Sequence, residues 1–236
     1  MPLPLNPGQA VVWWLALDGV GEPCWPRWAA LLDEEETARA GRFHFAADRQ
    51  QFIAAHALAR TMLATFGSRP PAAWRFAPGP KGKPAPMPPE GHPPLSFNLS
   101  HTRGLVACVV ARGLDAGVDV EATDRQRLDL AIAEAYFAPS EVALVRAAGA
   151  GAGRDLFFRF WTLKESYIKA TGEGLSRPLD SFAFTLDPIR LRTDPPRPGP
   201  WRFDQLRPTE RHLMAVALGG REAAELSIRE VRPEDF

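Results

Sequence analysis

The stretch of sequence that decides the fold is FNLSHTRGLVACVVARGLDAGVDVEA, residues 97–122. It contains three short apolar or alternating segments, FNLSH (97–101), LVACVVA (105–111) and AGVDVEA (116–122), which are typical of β-strands. A tight turn at residues 102–104 separates the first two segments, and Gly113 precedes the third. Three strands this close together, between helical segments, predict an antiparallel meander within an α+β domain.

Two long helices flank these strands in the prediction. The first runs from Asp48 to about Phe66, with apolar residues recurring along one face. The second runs from Arg154 to about Ala170, and the glycine-rich residues 149–153 before it predict a flexible break. Each half of the chain therefore contains strands and one long amphipathic helix, a pattern compatible with two similar subdomains, although no clear sequence repeat is present.

Shorter elements complete the prediction. Asp33 and Glu36 form a capping signal for a short helix that ends near Gly41. The proline-rich residues 69–94 predict a long loop. The other predicted elements are strands at residues 11–17, 181–186, 201–206 and 212–218, and helices at residues 131–137 and 140–148, the latter capped by Ser140.

Composition excludes several classes of protein. The 236 residues contain 28 Lys and Arg against 28 Asp and Glu. This zero net charge argues against a general nucleic-acid or membrane-surface binder. The longest apolar runs are too short to span a bilayer, and the MPLPLNPG start lacks the basic region of a signal peptide. The two cysteines, Cys24 and Cys108, have no metal-binding spacing. The sequence therefore predicts a cytoplasmic protein without metal-thiolate sites.

The lysines are few and clustered. Only Lys81, Lys83, Lys164 and Lys169 occur beside 24 arginines, in the segments KGKP and LKESYIK. An ammonium meets one oxygen at a point, which a planar guanidinium does not do equally well. The two clusters indicate two sites that bind phosphate or take part in proton transfer. The alternative is that the four lysines are clustered by chance.

Acidic residues occur at spacings that suit a cation. In GVDVE, Asp119 and Glu121 lie on one face of a strand and could share a hard divalent cation, or form an acidic solvent-facing surface. Glu165 and Lys169 are four residues apart on the second helix, where they could form an ordinary ion pair. Alternatively, a third carboxylate beside a lysine suits a Mg²⁺ site next to a phosphate ester.

Two further groups of polar residues remain ambiguous in sequence. Ser100 and His101 lie at a strand end, where neighbouring side chains point to opposite faces, so a Ser–His nucleophile is unfavourable and phosphate contacts are easier to build. A structural role for His101 is the alternative. One edge of the first long helix carries Arg49, His56 and Arg60. These side chains are either solvent-exposed residues beside the apolar face or a binding site for a polyanion.

Taken together, the motifs GKP, FNLSHT, GVDVE, FWTLKESYIK and GEGLSRPLDSF resemble, in order and spacing, the 4′-phosphopantetheinyl transferases. The similarity is to the larger type that activates surfactin synthetase and related assembly lines. It extends from about residue 39 to residue 184, and its most specific part is GVDVE followed about forty residues later by WxxKESxxK.

The resemblance implies a fold and an activity. The fold is α+β with two similar subdomains related by a pseudo-twofold axis. Each subdomain has a small, mostly antiparallel sheet packed with a long helix, and the ligand cleft lies between them. We expect an N-terminal subdomain at residues 1–112 and a C-terminal one at residues 113–236, acting as one unit. The implied activity moves the 4′-phosphopantetheine arm of coenzyme A to a serine of an apo acyl or peptidyl carrier protein. It depends on Mg²⁺, releases adenosine 3′,5′-bisphosphate and is carried out by a monomer.

The resemblance also implies roles for individual residues. Asp119, Glu121 and Glu165 would hold Mg²⁺ against the pyrophosphate, which Lys169 would also meet. The general base is Glu165 or a metal-bound water held by Glu121. The remaining implied cofactor contacts are Ser100 and His101 at the 3′-phosphate side, Lys83 in the GKP turn with Lys81 just before it, and Arg39 and Arg49. Relatives often have two basic residues where this chain has Glu36 and Arg39, so the 3′-phosphate would rest more on Arg39, Arg49 and His101.

The segment between the two metal-binding motifs is where we expect the carrier protein to bind. An acidic carrier protein would meet a small apolar patch with basic neighbours within residues 123–146. We expect this patch to include Arg125, Arg127, Tyr136, Phe137, Leu144 and Arg146, unless Phe137 and Leu144 belong to the core.

A different Mg²⁺-dependent phosphoryl-transfer enzyme or nuclease would use the same carboxylates, but the sequence has no P-loop or basic track. A non-catalytic binding module would lack one of the carboxylates, whereas all three are present.

Overall fold

The computed structural model describes residues 3–79, 83–88, 94–124, 130–193, 195–196, 198–220 and 223–236. The described helices are α1 (Cys24–Ala29), α2 (Glu34–Ala40), α3 (Ala46–Phe66), α4 (Leu130–Tyr136), α5 (Pro139–Ala147) and α6 (Gly149–Thr171). The described strands are β1 (Gln9–Ala16), β2 (Phe76–Pro78), β3 (Pro84–Pro86), β4 (Leu95–Thr102), β5 (Leu105–Arg112), β6 (Asp115–Ala122), β7 (Phe182–Leu186), β8 (Ile189–Thr193), β9 (Trp201–Thr209), β10 (His212–Gly219) and β11 (Glu225–Glu230).

The first sheet is covered on one face by α3. Its strand order is β11-β1-β5-β4, with β1 parallel to β11 and antiparallel to β5. Side chains alternate along a strand, so Trp13 and Leu15 of β1 face α3 while Val12 and Trp14 face the other way. The apolar stripe of α3, which includes Phe52, packs on this sheet through β4 and β5.

The second sheet is covered by α6 in the same manner. Its order is β6-β10-β9, all antiparallel, and α6 packs across β6 and β10. Leu213 and Ala215 of β10 face α6, while Met214 and Val216 pack with Val118 of β6 against the first sheet. The two sheets therefore lie face to face, each with one long helix on its outer side.

Much of the predicted architecture is confirmed. The α+β class, the strand at residues 11–17, the three strands of the opening stretch and the end of α3 at Phe66 all appear in the structure. The capping signal is also present, because the Asp33 side chain accepts from the Glu36 backbone N–H while Glu36 accepts from that of Asp33. Local sequence therefore determines these elements, and their observed bounds lie within two residues of the predicted ones.

The antiparallel meander is wrong. β4 and β5 pair as predicted, but β6 leaves them and pairs with β10 in the second sheet. Val118 and Val120 of β6 are buried between the two sheets. Burial on both faces, by the first sheet and by α6, favours this long-range pairing over continuation of the hairpin, and no local pattern reveals it.

The break predicted at residues 149–153 is also wrong, because α6 begins at Gly149. A Cβ at Gly153 would lie 2.7 Å from the carbonyl oxygen of Val145, so α5 approaches α6 closely at this glycine. Tertiary packing therefore overrides the low helix propensity of glycine. α5 itself begins at Pro139 after Ala138, and not after a Ser140 cap.

Other segments hold elements that the sequence did not predict. The loop at residues 69–94 contains the short antiparallel pair β2 and β3, and β8 pairs with β7. β11 was missed as well; it pairs with β1, so residues 225–230 lie in the first sheet although they belong to the predicted C-terminal half. None of the helices within the described ranges is long and apolar enough to cross a membrane.

Candidate active site

The motif GVDVE lies directly beneath α6, and its glycine makes this approach possible. A Cβ on Gly117 would overlap the carbonyl oxygen of Ser166 and lie 2.5 Å from the backbone nitrogen of Ala170. The backbones of β6 and α6 therefore touch at this point. As a result, the carboxylates of β6 face Glu165 and Lys169 of α6.

Asp119 is the centre of this contact. Its side chain is buried, with 4% of the residue exposed, so the solvent-facing alternative is wrong for this residue. Nζ of Lys169 lies 2.6 Å from Oδ1, and the Ser100 hydroxyl donates to the same oxygen at 3.1 Å. Burial raises the pKa of Asp119 above its usual value, and Lys169 and Ser100 partly offset that effect.

The other two motif carboxylates flank Asp119. Burial raises the pKa of Glu165, the nearby charge of Asp119 raises it further, and Lys169 opposes both effects. Glu121 accepts a hydrogen bond at Oε1 from the indole nitrogen of Trp161 at 3.1 Å. Because the charge of Asp119 disfavours ionisation of Glu165, a cation bound between them would relieve repulsion.

A divalent cation fits one observed feature of this group. Oδ2 of Asp119 is buried and has no hydrogen-bond partner among the described residues. An unpaired buried carboxylate oxygen is costly unless something positive meets it. In the described ranges, no three His, Cys, Asp or Glu side chains are already gathered as a metal centre. Oxygen donors of this type suit Mg²⁺, which takes few protein ligands.

A cleft of about 1020 Å³ is lined by residues of the N-terminal half of the chain, and Asp119, Glu121 and Glu165 are not part of its wall. Its walls come from α2, α3, β4 and the start of β3 with Lys83 before it, and they include both acidic and basic side chains. The charged and imidazole groups lining it are Asp33, Glu34, Glu35, Glu36, Arg39, His56, Arg75, Lys83 and His101. Arg39 lies over the ring of Phe52, with 5.3 Å between its guanidinium carbon and the ring centroid.

His101 connects the cleft to the carboxylate site. The side-chain amide of Gln51 donates to its Nδ1 at 2.6 Å, which leaves Nε2 as the nitrogen able to carry a proton. Partial desolvation lowers the pKa of His101, and the positive charges of Lys169, His56 and Arg39 lower it further. Asn98 of the cleft wall also accepts a hydrogen bond from the Val118 N–H, so the cleft adjoins the strand that carries Asp119.

Lys83, which directly precedes β3, contacts the second half of the chain. Its Nζ donates to the carbonyl oxygen of Ala116 at 2.8 Å and contacts that of Ala170 at 3.5 Å. Burial lowers the pKa of Lys83 to about 8, opposed by the charge of Asp115. A lysine of this kind is charged at neutral pH and loses its charge within the range in which enzymes are assayed.

The structure does not bring all the predicted binding residues together. Ser100 is buried beneath Asp119, where Val120 N–H and Lys169 also donate to its hydroxyl oxygen, and it is not part of the cleft wall. Arg49 lies in a separate small groove with Glu22 and Trp25. Lys81 lies outside the described residues. The cofactor contacts proposed for these three side chains stay predictions.

Two basic residues that the sequence associated with anions are structural. Arg60 is fully buried and donates to Asp33 at 2.5 Å and to Glu36 at 2.7 Å, so it is neither a solvated margin nor a polyanion grip. Lys164 is also fully buried and lies 2.8 Å from Glu141. Its cluster with Lys169 in the sequence is therefore not a shared phosphate site.

Sequence reasoning missed two residues that position the site. Trp161 lies four residues before Glu165, a spacing that places both on one face of a helix and could have indicated its contact with Glu121. The close-contact role of Gly117 has no local signal, because it depends on which helix covers β6.

The predicted carrier surface is partly exposed. Phe137 is buried in the core and is therefore not part of an exposed patch. Leu144 is 51% exposed and Tyr136 is 47% exposed, so Leu144 does not belong to the core. Leu130 and Ile132 of α4 are exposed beside them. Arg146 pairs with Glu134, and Arg125 and Arg127 lie outside the described residues.

Comparison with known proteins identifies the class. A family model described as the 4′-phosphopantetheinyl transferase superfamily matches residues 115–217, and one described as 4′-phosphopantetheinyl transferase, N-terminal, matches residues 21–112. These models define the protein as a transferase, with one match on each half of the chain.

Individual relatives agree. The chain is 34% identical over 196 residues to the 4′-phosphopantetheinyl transferase HetI of Nostoc sp., covering 81% of this chain and 80% of HetI. It is 30% identical over 169 residues to the 4′-phosphopantetheinyl transferase Sfp of Bacillus subtilis, covering 71% and 70%. It is 29% identical over 236 residues to the human L-aminoadipate-semialdehyde dehydrogenase-phosphopantetheinyl transferase, covering 91% and 76%. The chain belongs to the 4′-phosphopantetheinyl transferase family, in its larger type.

Proposed function

We propose that this enzyme transfers the 4′-phosphopantetheine arm of coenzyme A to a serine of an apo acyl or peptidyl carrier protein, with Mg²⁺, and releases adenosine 3′,5′-bisphosphate. Family membership supports the transfer and its co-substrate. The observation that carries the rest is Asp119, whose Oδ2 is buried without a partner while its Oδ1 meets Lys169 beside a large cleft.

Asp119, Glu121 and Glu165 are the residues that would hold Mg²⁺. When bound, the ion would neutralise charge on the pyrophosphate oxygens. The unpaired oxygen of Asp119 and the charge that Asp119 places beside Glu165 support this assignment. Lys169 would then place its ammonium near the oxygen that departs with the nucleotide.

The reaction requires a base and an aligned nucleophile. The carrier serine oxygen attacks the phosphorus that bears the pantetheine arm, and the anhydride bond to the nucleotide breaks. The serine proton passes to a base, for which the candidates are Glu165 and a water molecule held by Glu121. Positioning and electrostatic stabilisation supply most of the acceleration in reactions of this kind.

The nucleotide would occupy the cleft. Arg39, Arg75, Lys83 and His101 give it cationic or hydrogen-bonding groups, and Asp33 to Glu36 add negative charge at one end. His101 and Arg39 are our candidates for the 3′-phosphate side, together with Arg49 and Lys81. We also propose that residues 1–112 and 113–236 act as one unit, as a cytoplasmic monomer, with the carrier bound at the exposed side chains of α4 and α5.

Mass spectrometry of a carrier protein tests the proposal. Apo carrier is incubated with the enzyme, coenzyme A and Mg²⁺, and the nucleotide product is separated by chromatography. We expect the carrier to gain the mass of one phosphopantetheine arm, adenosine 3′,5′-bisphosphate to appear in equal amount, and a chelator to abolish both. A different phosphoryl-transfer enzyme or nuclease would leave the carrier mass unchanged.

A further inference from the structure

Strands β4 and β6 are edge strands of different sheets, yet they lie side by side. Their backbones are not paired with each other, since β4 pairs with β5 and β6 pairs with β10. Three side chains of β4 bridge the gap instead, by accepting hydrogen bonds from backbone N–H groups of β6. The pairs are Asn98 Oδ1 with Val118 at 2.9 Å, Ser100 Oγ with Val120 at 3.2 Å, and Thr102 Oγ1 with Ala122 at 3.2 Å.

This ladder follows from the geometry of strands. Side chains two residues apart point to the same side, so Asn98, Ser100 and Thr102 all point toward β6. In an edge strand, every second N–H points away from its only partner strand, which leaves those of residues 118, 120 and 122 in need of acceptors. Buried backbone donors without partners are costly, so the side chains of β4 complete the sheet edge.

The ladder joins the two walls of the site. Between Ser100 and Thr102, His101 points the other way, toward Gln51 and the cleft. Next to Val118 and Val120, Asp119 points toward Lys169. The register of β4 against β6 therefore sets where the cleft lies relative to the carboxylates.

We infer that Asn98 and Thr102 are positioning residues that hold the nucleotide wall in register with the carboxylate strand. The inference rests on the proposed function, because it assigns the cleft to coenzyme A and the carboxylates to its pyrophosphate. Ser100 also touches Asp119 and Lys169, so its substitution would not separate the two roles. Asn98 is part of the cleft wall, whereas Thr102 is outside it and touches neither carboxylate, so Thr102 is the residue on which the test depends.

The test uses matched variants of β4. Thr102→Val is nearly isosteric and removes the acceptor, Thr102→Ser keeps it, and Asn98→Ala removes the other terminal acceptor. Ser96→Ala is the control, because Ser96 lies on the same side of β4 but donates to the carbonyl oxygens of Ala111 and Leu114 and not to β6. Each variant is measured for the KM of coenzyme A, kcat, and amide hydrogen exchange at residues 118 and 122.

We expect Thr102→Val and Asn98→Ala to speed exchange at residues 122 and 118 and to raise the KM of coenzyme A about tenfold. We also expect kcat to fall, since misplacement by ~1 Å can cost ~100-fold in rate. Thr102→Ser should restore wild-type values, and Ser96→Ala should leave the KM unchanged. If these side chains only stabilise the fold, their loss should lower the fraction of active enzyme and leave the KM unchanged. That result would overturn the inference. An equal change of the KM in Ser96→Ala would also overturn it. If the wild-type enzyme does not modify a carrier, the proposed function fails. In that case, the dissociation constant of coenzyme A is measured by calorimetry for the wild type and for each variant. Unchanged affinity in Thr102→Val, or no binding to the wild type, would overturn the inference about the ladder.

Discussion

Gly117 and Ser166 are in direct backbone contact, so closely that any side-chain carbon at position 117 would overlap the carbonyl oxygen of Ser166. This contact brings the strand that carries Asp119 against the helix that carries Lys169. The chemistry of the site therefore depends on a residue with no functional group. The contact makes the glycine of GVDVE as necessary as its acids.

Gly117→Ala should destabilise the protein by ~1–3 kcal/mol, the usual cost of overpacking, and should lower kcat by separating β6 from α6. Urea unfolding and transfer kinetics measure the two effects. Gly151→Ala is the matched control, because a Cβ at position 151 of α6 meets nothing within 4 Å. It should be neutral or stabilise by up to ~1 kcal/mol through helix propensity. Equal behaviour of the two variants would show that the contact is not tight.

Lys164 and Glu141 form a buried ion pair whose hydrogen bonds fix the segment after α6. Lys164 donates to the carbonyl oxygens of Leu179 and Phe182, and Glu141 accepts from the Phe184 N–H. Lys164→Met should cost ~3–5 kcal/mol of unfolding free energy, because it leaves an unpaired buried carboxylate. Adding Glu141→Gln should recover part of that loss. Arg146→Ala, which breaks an exposed pair, should change stability by less than ~1 kcal/mol. A Lys164→Met loss equally small would contradict the buried-pair account.

Lys83 should make coenzyme A binding depend on pH. Its pKa of about 8 lies below the usual value, so the ammonium is present at pH 7 and is largely lost by pH 9. If the charge helps to bind phosphate, the KM of coenzyme A should rise between pH 7 and pH 9. Lys83→Met should have a high KM that changes less with pH over that range. A wild-type KM that follows the Lys83→Met profile would mean that the lysine only ties Ala116 and Ala170 together.

Lys169→Arg should fail nearly as badly as Lys169→Ala in kcat. The ammonium lies 2.6 Å from Asp119 and 3.2 Å from Ser100, in a space bounded by the close contact of β6 and α6. A planar guanidinium keeps the charge but is larger and presents its donors in a fork. Retention of most activity in the arginine variant would show that only charge matters at this position.

The sequence predicted those elements that depend on interactions between residues close together in the chain. The capping box at Asp33, the apolar stripe of α3 and the alternation of GVDVE each produced the expected element, and GVDVE with WxxKESxxK indicated the family. The sequence did not predict that β6 would pair with β10, or that Lys164 and Arg60 would be buried. Those outcomes depend on contacts between residues far apart in the chain, such as Arg60 with Asp33 and Glu36, which no short-range spacing encodes.

The same limit applies to the site. The sequence indicated Asp119, Glu121, Glu165 and Lys169 by residue type, but not that Ser100 lies beneath Asp119. Its role emerges only when β4 and β6 are adjacent. The cleft contacts of Arg49 and Lys81 stay predictions.

The most direct test of the central claim is the rate at which apo carrier protein gains mass with wild-type enzyme, Asp119→Asn and Glu165→Gln at saturating Mg²⁺. Both substitutions keep shape and remove charge, so folding, followed by circular dichroism, should be retained. If these carboxylates hold the cation, we expect each variant to be slower by at least ~100-fold, because the ion stabilises charge in the transition state. Near-normal rates in both folded variants would contradict the account.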